Sequence, residues 1–166
     1  LRILPPDVNQ SAIAWTGRER SVRVGWLSVK DLSAETQKRI LCARTEDGPY
    51  TGFENFLDRV RPEEDETRAL IDAGAFAAIS AGTEAAELLW RLAQRKRRRE
   101  RGGHARLFDS LEETPSPSFP PEPEISRLRR QFAALGFLVD RHPMHLYRNL
   151  LSGRRRAMAS DLFRYI

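Results

Sequence analysis

Residues 22–44 read VRVGWLSVKDLSAETQKRILCAR, and this stretch decides how the first half of the chain folds. A short apolar run ends in a turn over residues 30–33. Ser33 suits a helix N-terminus, because its side chain can accept a hydrogen bond from the first-turn backbone. The pattern predicts a helix from Ser33 to about Arg44, ended by Gly48 and Pro49. Its inward-facing residues are predicted to be Thr36, Ile40 and Cys42 or Ala43, with Cys42 as a buried structural thiol.

Two more helices are predicted downstream of this one. Residues 51–54 read TGFE, the pattern of a capping box, and four apolar residues follow at helical spacing. Those residues are Phe53, Phe56, Leu57 and Val60. Pro62 and the acids at 63–66 then open a helix that carries Leu70 and Ile71 and closes at Gly74. The acids are interpreted as complementing the helix dipole.

The chain thus contains two helix-turn-helix units, one through the turn at residues 29–33 and one through residues 70–76. Turn amides and helix N-termini can hold a phosphate without reading bases. The alternative is that both are ordinary turns between helices, and spacing alone does not separate the two interpretations.

A long helix is predicted to start near Thr83, with Leu88, Leu89, Leu92 and Ala93 on one side. Between residues 91 and 101 there are seven Lys or Arg and one Glu. This run is either the solvated end of a helix, where cations suit the dipole, or a phosphate-facing patch. The density of cations favours the patch. Its members are Arg95, Lys96, Arg97, Arg98, Arg99 and Arg101.

Residues 109–124 carry five acids and no base, and five prolines lie between residues 104 and 124. Prolines at this density cannot sustain a helix, so the segment is predicted to be a linker. Beyond it, one more helix ends at Gly136, and Pro143 opens a last helical turn behind His142. The inward residues of these two elements are predicted to be Ile125, Leu128, Phe132, Leu135, Leu146, Leu150 and Leu151.

Composition narrows the possible functions. The chain has 166 residues, a formal net charge of +5, 40% hydrophobic and 31% charged residues, and a single cysteine. It has no apolar run long enough to cross a membrane, no secretory leader and no cysteine-rich site, so we expect a cytoplasmic protein. It opens on Leu1 rather than Met, which suggests a fragment of a longer chain. One to two small domains fit this length.

The sequence also lacks the motifs of several enzyme classes. Neither GxxxxGK nor GxGxxG occurs, and no Asp-x-Asp is present for two-metal phosphoryl transfer. His142 and His145 lie three residues apart, but two ligands make a weak metal site, and a capping role for His142 is favoured. We therefore predict no catalytic residue, no metal site and no cofactor in this chain.

Five segments in order resemble the bacterial C-family DNA polymerases, the DNA polymerase III alpha-subunit class, and within it the error-prone branch. They read LPPDVNQSAIAW (4–15), VRVGWLSVKDLSAETQKRILCAR (22–44), GPYTGFENFLDRV (48–60), ALIDAGAF (69–76) and LGFLVDRHPMHLYRNLL (135–151). In that family they cover a tandem helix-hairpin-helix region and the connector to an oligonucleotide-binding barrel. The resemblance implies a DNA-handling module, with the palm, its catalytic aspartates and its magnesium in a preceding part of the parent polymerase.

The resemblance implies an all-α architecture in three parts. Residues 1–102 form the tandem helix-hairpin-helix domain, 103–124 the flexible linker, and 125–166 a helical connector. The first hairpin departs from the family pattern of glycine, apolar, glycine, since it reads Asp31, Leu32, Ser33. A carboxylate there repels phosphate, so the first hairpin is interpreted as more structural and the second, with Gly74, as the better contact.

A further family feature lies at the start of the linker, where residues 104–108 read HARLF. It resembles the peptide by which polymerases dock on the sliding clamp, with His104 in place of the usual Gln and with Leu107 and Phe108 as the apolar pair. The alternative is that this pair folds back on the adjacent helix.

The sequence therefore predicts a non-specific duplex DNA-binding module of an error-prone DNA polymerase, acting in replication and translesion synthesis with a sliding-clamp tether. Its partners are the DNA backbone, the clamp and the remainder of the polymerase. The alternative is a helical scaffold that joins the polymerase fingers to the barrel without binding DNA. The predicted DNA-contacting residues are Lys30, Ser33, Gly74, Ala75, Arg95, Arg97, Arg98, Arg99 and Arg101.

Overall fold

A computed structural model describes residues 1–80, 82–101 and 117–153. The chain begins with strands β1 (Arg2–Leu4), β2 (Thr16–Arg18) and β3 (Ser21–Arg23) and a 3-10 turn, Trp26–Ser28. Helices follow as α1 (Ala34–Asp47), α2 (Phe53–Val60), α3 (Glu64–Asp72), α4 (Ala85–Arg101) and α5 (Glu124–Leu135), with a second 3-10 turn at Pro143–Tyr147.

The expected all-α fold is corrected by a small sheet at the start of the chain. Its strand order is β1-β3-β2, with β1 parallel and β2 antiparallel to β3. Each strand has three residues, too few to display the alternation by which a strand is detected in sequence. The helical part of the prediction is confirmed, because five α-helices are the main regular elements of the described ranges.

The core is built around the aromatic face of α2. The Phe56 ring stands edge-on to Tyr50 and to Phe76, each with centroids 5.0 Å apart, and Phe53 meets Phe76 in the same way. Such edge-to-face pairs add about 0.5–1.5 kcal/mol each beyond the burial of their area. All four predicted residues of α2 are buried, so the predicted apolar face is confirmed.

The capping box predicted at residues 51–54 is wrong. Helix α2 begins after Gly52, which offers no side-chain cap, and the Thr51 amide donates to Asn55 Oδ1 at 3.3 Å instead. A reciprocal capping box does exist one helix later, at the start of α3. There the Glu63 side chain accepts from the backbone of Glu66, and Glu66 accepts from the Glu63 amide. The sequence signal was missed because Glu takes the place of the usual Ser or Thr at the cap.

Helix α1 begins as predicted, since Ser33 Oγ accepts from the Thr36 amide at 3.2 Å. It continues to Asp47 and ends at Gly48, whose φ of +79° lies in the left-handed region. The expected burial of Cys42 is wrong, because this thiol is exposed. Thr36 and Ile40, four residues apart, define the inner face, and a residue two positions beyond Ile40 is rotated about 200° away from it.

The N-termini of α1 and α3 are joined by one buried carboxylate, that of Glu66. It accepts from the Ser33 amide at 3.1 Å, from Ser33 Oγ at 2.5 Å, from Thr36 Oγ1 at 2.8 Å and from the Glu63 amide at 3.0 Å. Burial by itself raises the pKa of Glu66, but the hydrogen bonds from Ser33, Glu63 and Thr36 outweigh it and hold that pKa below its ordinary value. Four donors bind one carboxylate, and this strong polar contact links α1 to α3.

The later helices are only partly as expected. Leu88 and Leu92 of α4 and Leu128 and Leu135 of α5 are buried, as predicted. Phe132 and Leu150 were predicted to face inward, but they are 37% and 73% exposed. Gln131 is buried on α5 instead, where its Oε1 accepts from the Val139 amide at 3.2 Å. Helical spacing alone does not show that a polar residue with a hydrogen-bond partner can hold a core position.

Part of the predicted linker is ordered against the helices. Phe119 lies 6.4 Å from Trp90 of α4 between ring centroids, and Glu122 forms an ion pair with Arg130 of α5. Arg130 also reaches Asp72 at the end of α3, at 2.8 Å. Residues 102–116 lie outside the described residues, so the predicted domain boundaries at 102 and 124 stay predictions. No helix in the described ranges is long and apolar enough to span a membrane.

We predict that Glu66→Gln lowers the free energy of unfolding by about 2–4 kcal/mol at pH 7, because an amide cannot satisfy the buried donors that the carboxylate satisfies. The depressed folded-state pKa means that this stabilisation is complete above about pH 4.3, the ordinary pKa of Glu, and is lost as pH falls through the folded-state pKa. Urea denaturation at pH 7 and at a series of lower pH values checks both statements, and the difference in stability between the two proteins should shrink as pH falls.

The matched control is Asp65→Asn, the same charge change in the same turn of α3 at an exposed residue. It should change the free energy of unfolding by no more than about 0.5 kcal/mol. If both variants lose the same free energy of unfolding, Glu66 stabilises the protein through the helix dipole and not through its hydrogen bonds to Ser33 and Thr36.

Candidate nucleic-acid interface

The exposed end of α4 carries the cations that the sequence singles out. The first half of α4 is fixed by Leu88 and Leu92, which pack into the core, and the helix lies against α3. From Lys96 to Glu100 every side chain is exposed. The helix therefore has a buried root and a projecting cationic end.

Arg95 is a cation of this helix that acids of the protein itself hold in place. Its guanidinium contacts Asp58 at 2.5 Å and Glu54 at 3.2 Å, both on α2. Burial alone would lower the pKa of Arg95. The hydrogen bonds and charges of these two carboxylates outweigh burial, so the pKa of Arg95 is raised above its ordinary value. With its charge matched by two acids, Arg95 ties α4 to α2.

Lys96 is also paired, since its Nζ lies 2.9 Å from Glu64 of α3. Arg68 binds the same carboxylate at 2.7 Å. Hydrogen bonds from Arg68 and then Lys96 lower the pKa of Glu64, and the contact with Glu64 raises the pKa of Lys96. This pair is solvent-exposed and is therefore screened by salt.

Arg97, Arg98 and Arg99 differ from their neighbours. All three are exposed, and no carboxylate of the described residues lies within 4.0 Å of their guanidinium nitrogens. Arg101 ends the helix, and its side chain lies outside the described residues. The structure thus divides the predicted patch into two paired cations and three that face solvent.

A groove of about 320 Å³ runs beside these cations, between the α2–α3 connection and α4. Its floor includes Leu57 and Leu92, and Arg61, Lys96 and Arg99 stand along it. Glu63, Glu64 and Glu100 line the groove as well. The charge of the groove is mixed, whereas the end of α4 is mainly cationic, with Glu100 as its one acid between residues 95 and 101.

The first hairpin places Lys30 and Ser33 in different surroundings. The Ser33 amide and hydroxyl already bind Glu66, so an anion of the protein itself occupies this helix N-terminus. The Lys30 amide donates to the Ala134 carbonyl at 2.9 Å, while its side chain is exposed next to Gly136. Asp31 takes a φ of +58°, the left-handed conformation that the family pattern assigns to glycine. The sequence did not show that Glu66 fills this hairpin.

The second hairpin uses its amides internally too. Gly74 has a φ of +80°, and its amide donates to the Ile71 carbonyl at 3.0 Å. The Ala75 amide donates to the Leu70 carbonyl at 3.0 Å, and the Ala75 carbonyl accepts from Val8. Ala75 is buried. These bonds close α3 in the manner of a helix C-terminal motif, and they leave neither amide directed at solvent.

The remaining predicted features can be placed only in part. His104, Leu107 and Phe108 lie outside the described residues. His142 is placed as predicted, with its Nδ1 accepting from the Met144 amide at 3.2 Å. In the ranges that the structure describes, no three His, Cys, Asp or Glu side chains are grouped to hold a metal ion.

Known proteins resemble this chain over much of its length. The model of a family described as helix-hairpin-helix motif matches residues 1–86. A DNA polymerase III subunit alpha of Thermus aquaticus is 33% identical over 154 residues, which cover 89% of this chain and 13% of that protein. An error-prone DNA polymerase of Bdellovibrio bacteriovorus is 27% identical over 169 residues, 97% of this chain and 16% of that protein.

A third relative matches a shorter part of the chain more closely. An error-prone DNA polymerase of Nocardia farcinica is 39% identical over 79 residues, 45% of this chain and 7% of that protein. The chain spans no more than 16% of the length of any of these three relatives. The resemblance to the bacterial C-family polymerases is confirmed, since relatives of both names match.

We predict that Arg95→Gln lowers the free energy of unfolding by about 1 kcal/mol, because it breaks the two contacts that tie α4 to α2. Arg97→Gln removes the same charge two residues away and should change that free energy by no more than about 0.5 kcal/mol. Thermal denaturation in low salt and in 1 M NaCl checks this, and the Arg95 effect should shrink in high salt. If the two variants lose equal stability, Arg95 is not a tie between helices.

Proposed function

This chain belongs to the helix-hairpin-helix motif family, as the segment shared by DNA polymerase III alpha subunits and error-prone DNA polymerases, and from that premise we propose that it binds duplex DNA. The binding is non-specific and directed at the phosphate backbone. In the parent polymerase it holds the duplex during replication or translesion synthesis. We expect the chain to bind duplex DNA of the chromosome in the cytoplasm. No step of this binding uses a metal ion.

One observation carries the proposal, the contrast along the end of α4. Arg95 and Lys96 are neutralised by acids of α2 and α3, whereas Arg97, Arg98 and Arg99 face solvent without a described carboxylate. Three neighbouring guanidinium groups repel one another, which is costly for the protein in the absence of a ligand. They are compensated when phosphates replace their counterions.

The rigid root of α4 explains how such contacts can be positioned. Leu88 and Leu92 anchor the helix in the core, and Arg95 ties it to α2. The three arginines then project from a fixed axis and not from a loop. Because guanidinium groups bind phosphates in a fork geometry, a fixed axis favours backbone contacts over base contacts.

The hairpins play a smaller part in this proposal than the sequence suggests. Glu66 fills the first hairpin, and the amides of Gly74 and Ala75 donate within the second. The same observation favours a second candidate function, in which the helices are a scaffold between other parts of the polymerase and do not touch DNA. A chain that shows no affinity for duplex DNA at low salt would support the scaffold.

We predict that the chain binds a duplex with a log affinity that falls steeply with the log of the salt concentration. The combined variant with Arg97→Ala, Arg98→Ala and Arg99→Ala should reduce the magnitude of this slope by about 2.7, since each phosphate contact contributes about 0.9. Fluorescence anisotropy over a salt series measures the slope. Duplexes of different sequence should bind within a few-fold of one another, because phosphates carry no sequence information.

The matched control removes three exposed arginines elsewhere, through Arg18→Ala, Arg20→Ala and Arg129→Ala. None of these three forms an ion pair in the described part of the chain. The control should leave the salt slope within about one contact of the unmodified chain. If both triple variants flatten the slope equally, net charge and not the α4 end governs binding.

We further propose that residues 104–108 tether the polymerase to its sliding clamp. Leu107 and Phe108 are adjacent apolar residues in an otherwise polar sequence, and a partner groove would bury both. Burial supplies about 1.5–3 kcal/mol per side chain, or about 3–6 kcal/mol for the pair before the cost of ordering the segment, which corresponds to a Kd between millimolar and tens of micromolar. Binding of both partners to the same DNA raises their effective concentration and makes such an affinity sufficient.

We predict that Leu107→Ala with Phe108→Ala weakens binding to the cognate clamp at least tenfold in calorimetry and leaves duplex affinity unchanged, because neither residue is charged. Leu111→Ala is the control within the same segment and should retain clamp binding. His104→Gln should strengthen binding by restoring the usual first residue. Absence of heat with the unmodified chain would contradict the tether.

A further inference from the structure

We infer that a second surface of this chain, remote in sequence from the α4 arginines, binds unpaired bases of single-stranded nucleic acid. The surface consists of the Trp15 and Phe137 rings, here called the aromatic ledge, with Lys30 at its edge. The inference does not rest on the duplex contact proposed for the end of α4, since it uses none of the α4 arginines.

The aromatic ledge is held by the fold and is not a loose exposed side chain. The Trp15 and Phe137 ring centroids lie 5.4 Å apart, and Trp15 Nε1 donates to Ser28 Oγ at 2.6 Å. That hydrogen bond fixes the orientation of the indole, yet 41% of Trp15 remains exposed. The polar edge of the ring is satisfied, so the face is the part left for a ligand.

The backbone beneath Trp15 is fixed as well. The amides of Trp26 and Leu27 donate to the carbonyls of Ala12 and Ile13, each at 3.0 Å. Gly25 permits this close approach, because a Cβ at that position would lie 2.4 Å from the Ala14 backbone. Such constraints lower the entropic cost of presenting Trp15 to a ligand.

Lys30 supplies a cation next to the backbone that leads into Phe137. A Cβ placed on Gly136, the residue before Phe137, would lie 3.7 Å from Lys30 Nζ. Lys30 is exposed and has no carboxylate within 4.0 Å in the described ranges, including its neighbour Asp31. A fixed aromatic face with an adjacent ammonium matches one nucleotide, since a base stacks on the ring and its phosphate meets the cation.

A protein partner is the other class of ligand that exposed aromatic rings could take. The centres of protein interfaces are enriched in Trp but depleted in Lys, so the position of Lys30 beside the ledge fits a phosphate better. The net charge of +5 also favours an anionic ligand. Single strands are favoured over duplex because a stacked base must have an exposed face.

The test compares a ten-residue oligothymidylate with an abasic oligomer of the same length, which has the same phosphates and no bases. We expect the unmodified chain to bind the oligothymidylate about 5- to 150-fold more tightly, the range that one stacked base provides. Titration should quench tryptophan emission. Trp26 is fully buried and Trp90 packs on Phe119, so Trp90→Phe should retain the quenching and Trp15→Phe should lose most of it.

Two substitutions at residue 15 separate stacking from stability. Trp15→Leu keeps an apolar side chain but no aromatic face, and it should bind both oligomers equally in an anisotropy assay. Trp15→Phe restores a ring and should recover a preference for bases. Lys30→Gln should weaken the binding of both oligomers and leave the ratio of the two affinities unchanged. Thermal denaturation midpoints identify any variant that fails to fold. If Trp15→Leu is among them, Trp15→Phe alone decides whether the ring stacks on a base.

Three results would overturn the inference. The unmodified chain could bind the two oligomers equally, or Trp15→Leu could keep the preference for bases. Alternatively, sedimentation could show self-association that Trp15→Leu abolishes, without any preference for bases, which would assign the ledge to a protein contact. The triple alanine variant at residues 97–99 should not alter the ratio of the two affinities, so failure of the duplex proposal is distinguishable from failure of this one.

Discussion

The Glu66 carboxylate is the interaction on which the arrangement of the helices depends. It caps α1 through Ser33 and Thr36 and closes the capping box of its own helix through Glu63. One buried carboxylate thereby links the N-termini of α1 and α3, and its removal would leave several donors unsatisfied. The same contact sets a limit on function. An anion already occupies the first hairpin, where a phosphate would otherwise bind.

With that hairpin filled, the available positive charge lies elsewhere. The acids of α2 and α3 neutralise the α4 cations nearest the core and leave those further out exposed. The inner pairs hold the helix, and the outer arginines offer charge to a ligand. A charged helix end with a buried root is a simple way to present phosphate contacts in a small domain, and it does not require glycine-rich hairpins.

The sequence predicted the elements with strong local signals. The Ser33 cap, the apolar face of α2 and the end of α5 at Gly136 could be predicted, because each depends on neighbours within one or two turns. The three-residue strands could not be predicted, since their pairing depends on contacts distant in sequence. Cys42, Phe132 and Leu150 were misplaced because apolar character was taken for burial. At the site, the cationic run was visible, but its division into paired and unpaired arginines depends on acids up to 41 residues away.

The central claim is that duplex DNA meets the end of α4 and not the hairpin amides. Amide chemical-shift mapping by NMR during titration with a duplex of mixed sequence tests it most directly. The account predicts the largest changes at residues 97–99, with small changes at Ser33, Gly74 and Ala75, whose amides already donate within the protein. Large changes at those three amides, with residues 97–99 unaffected, would contradict it.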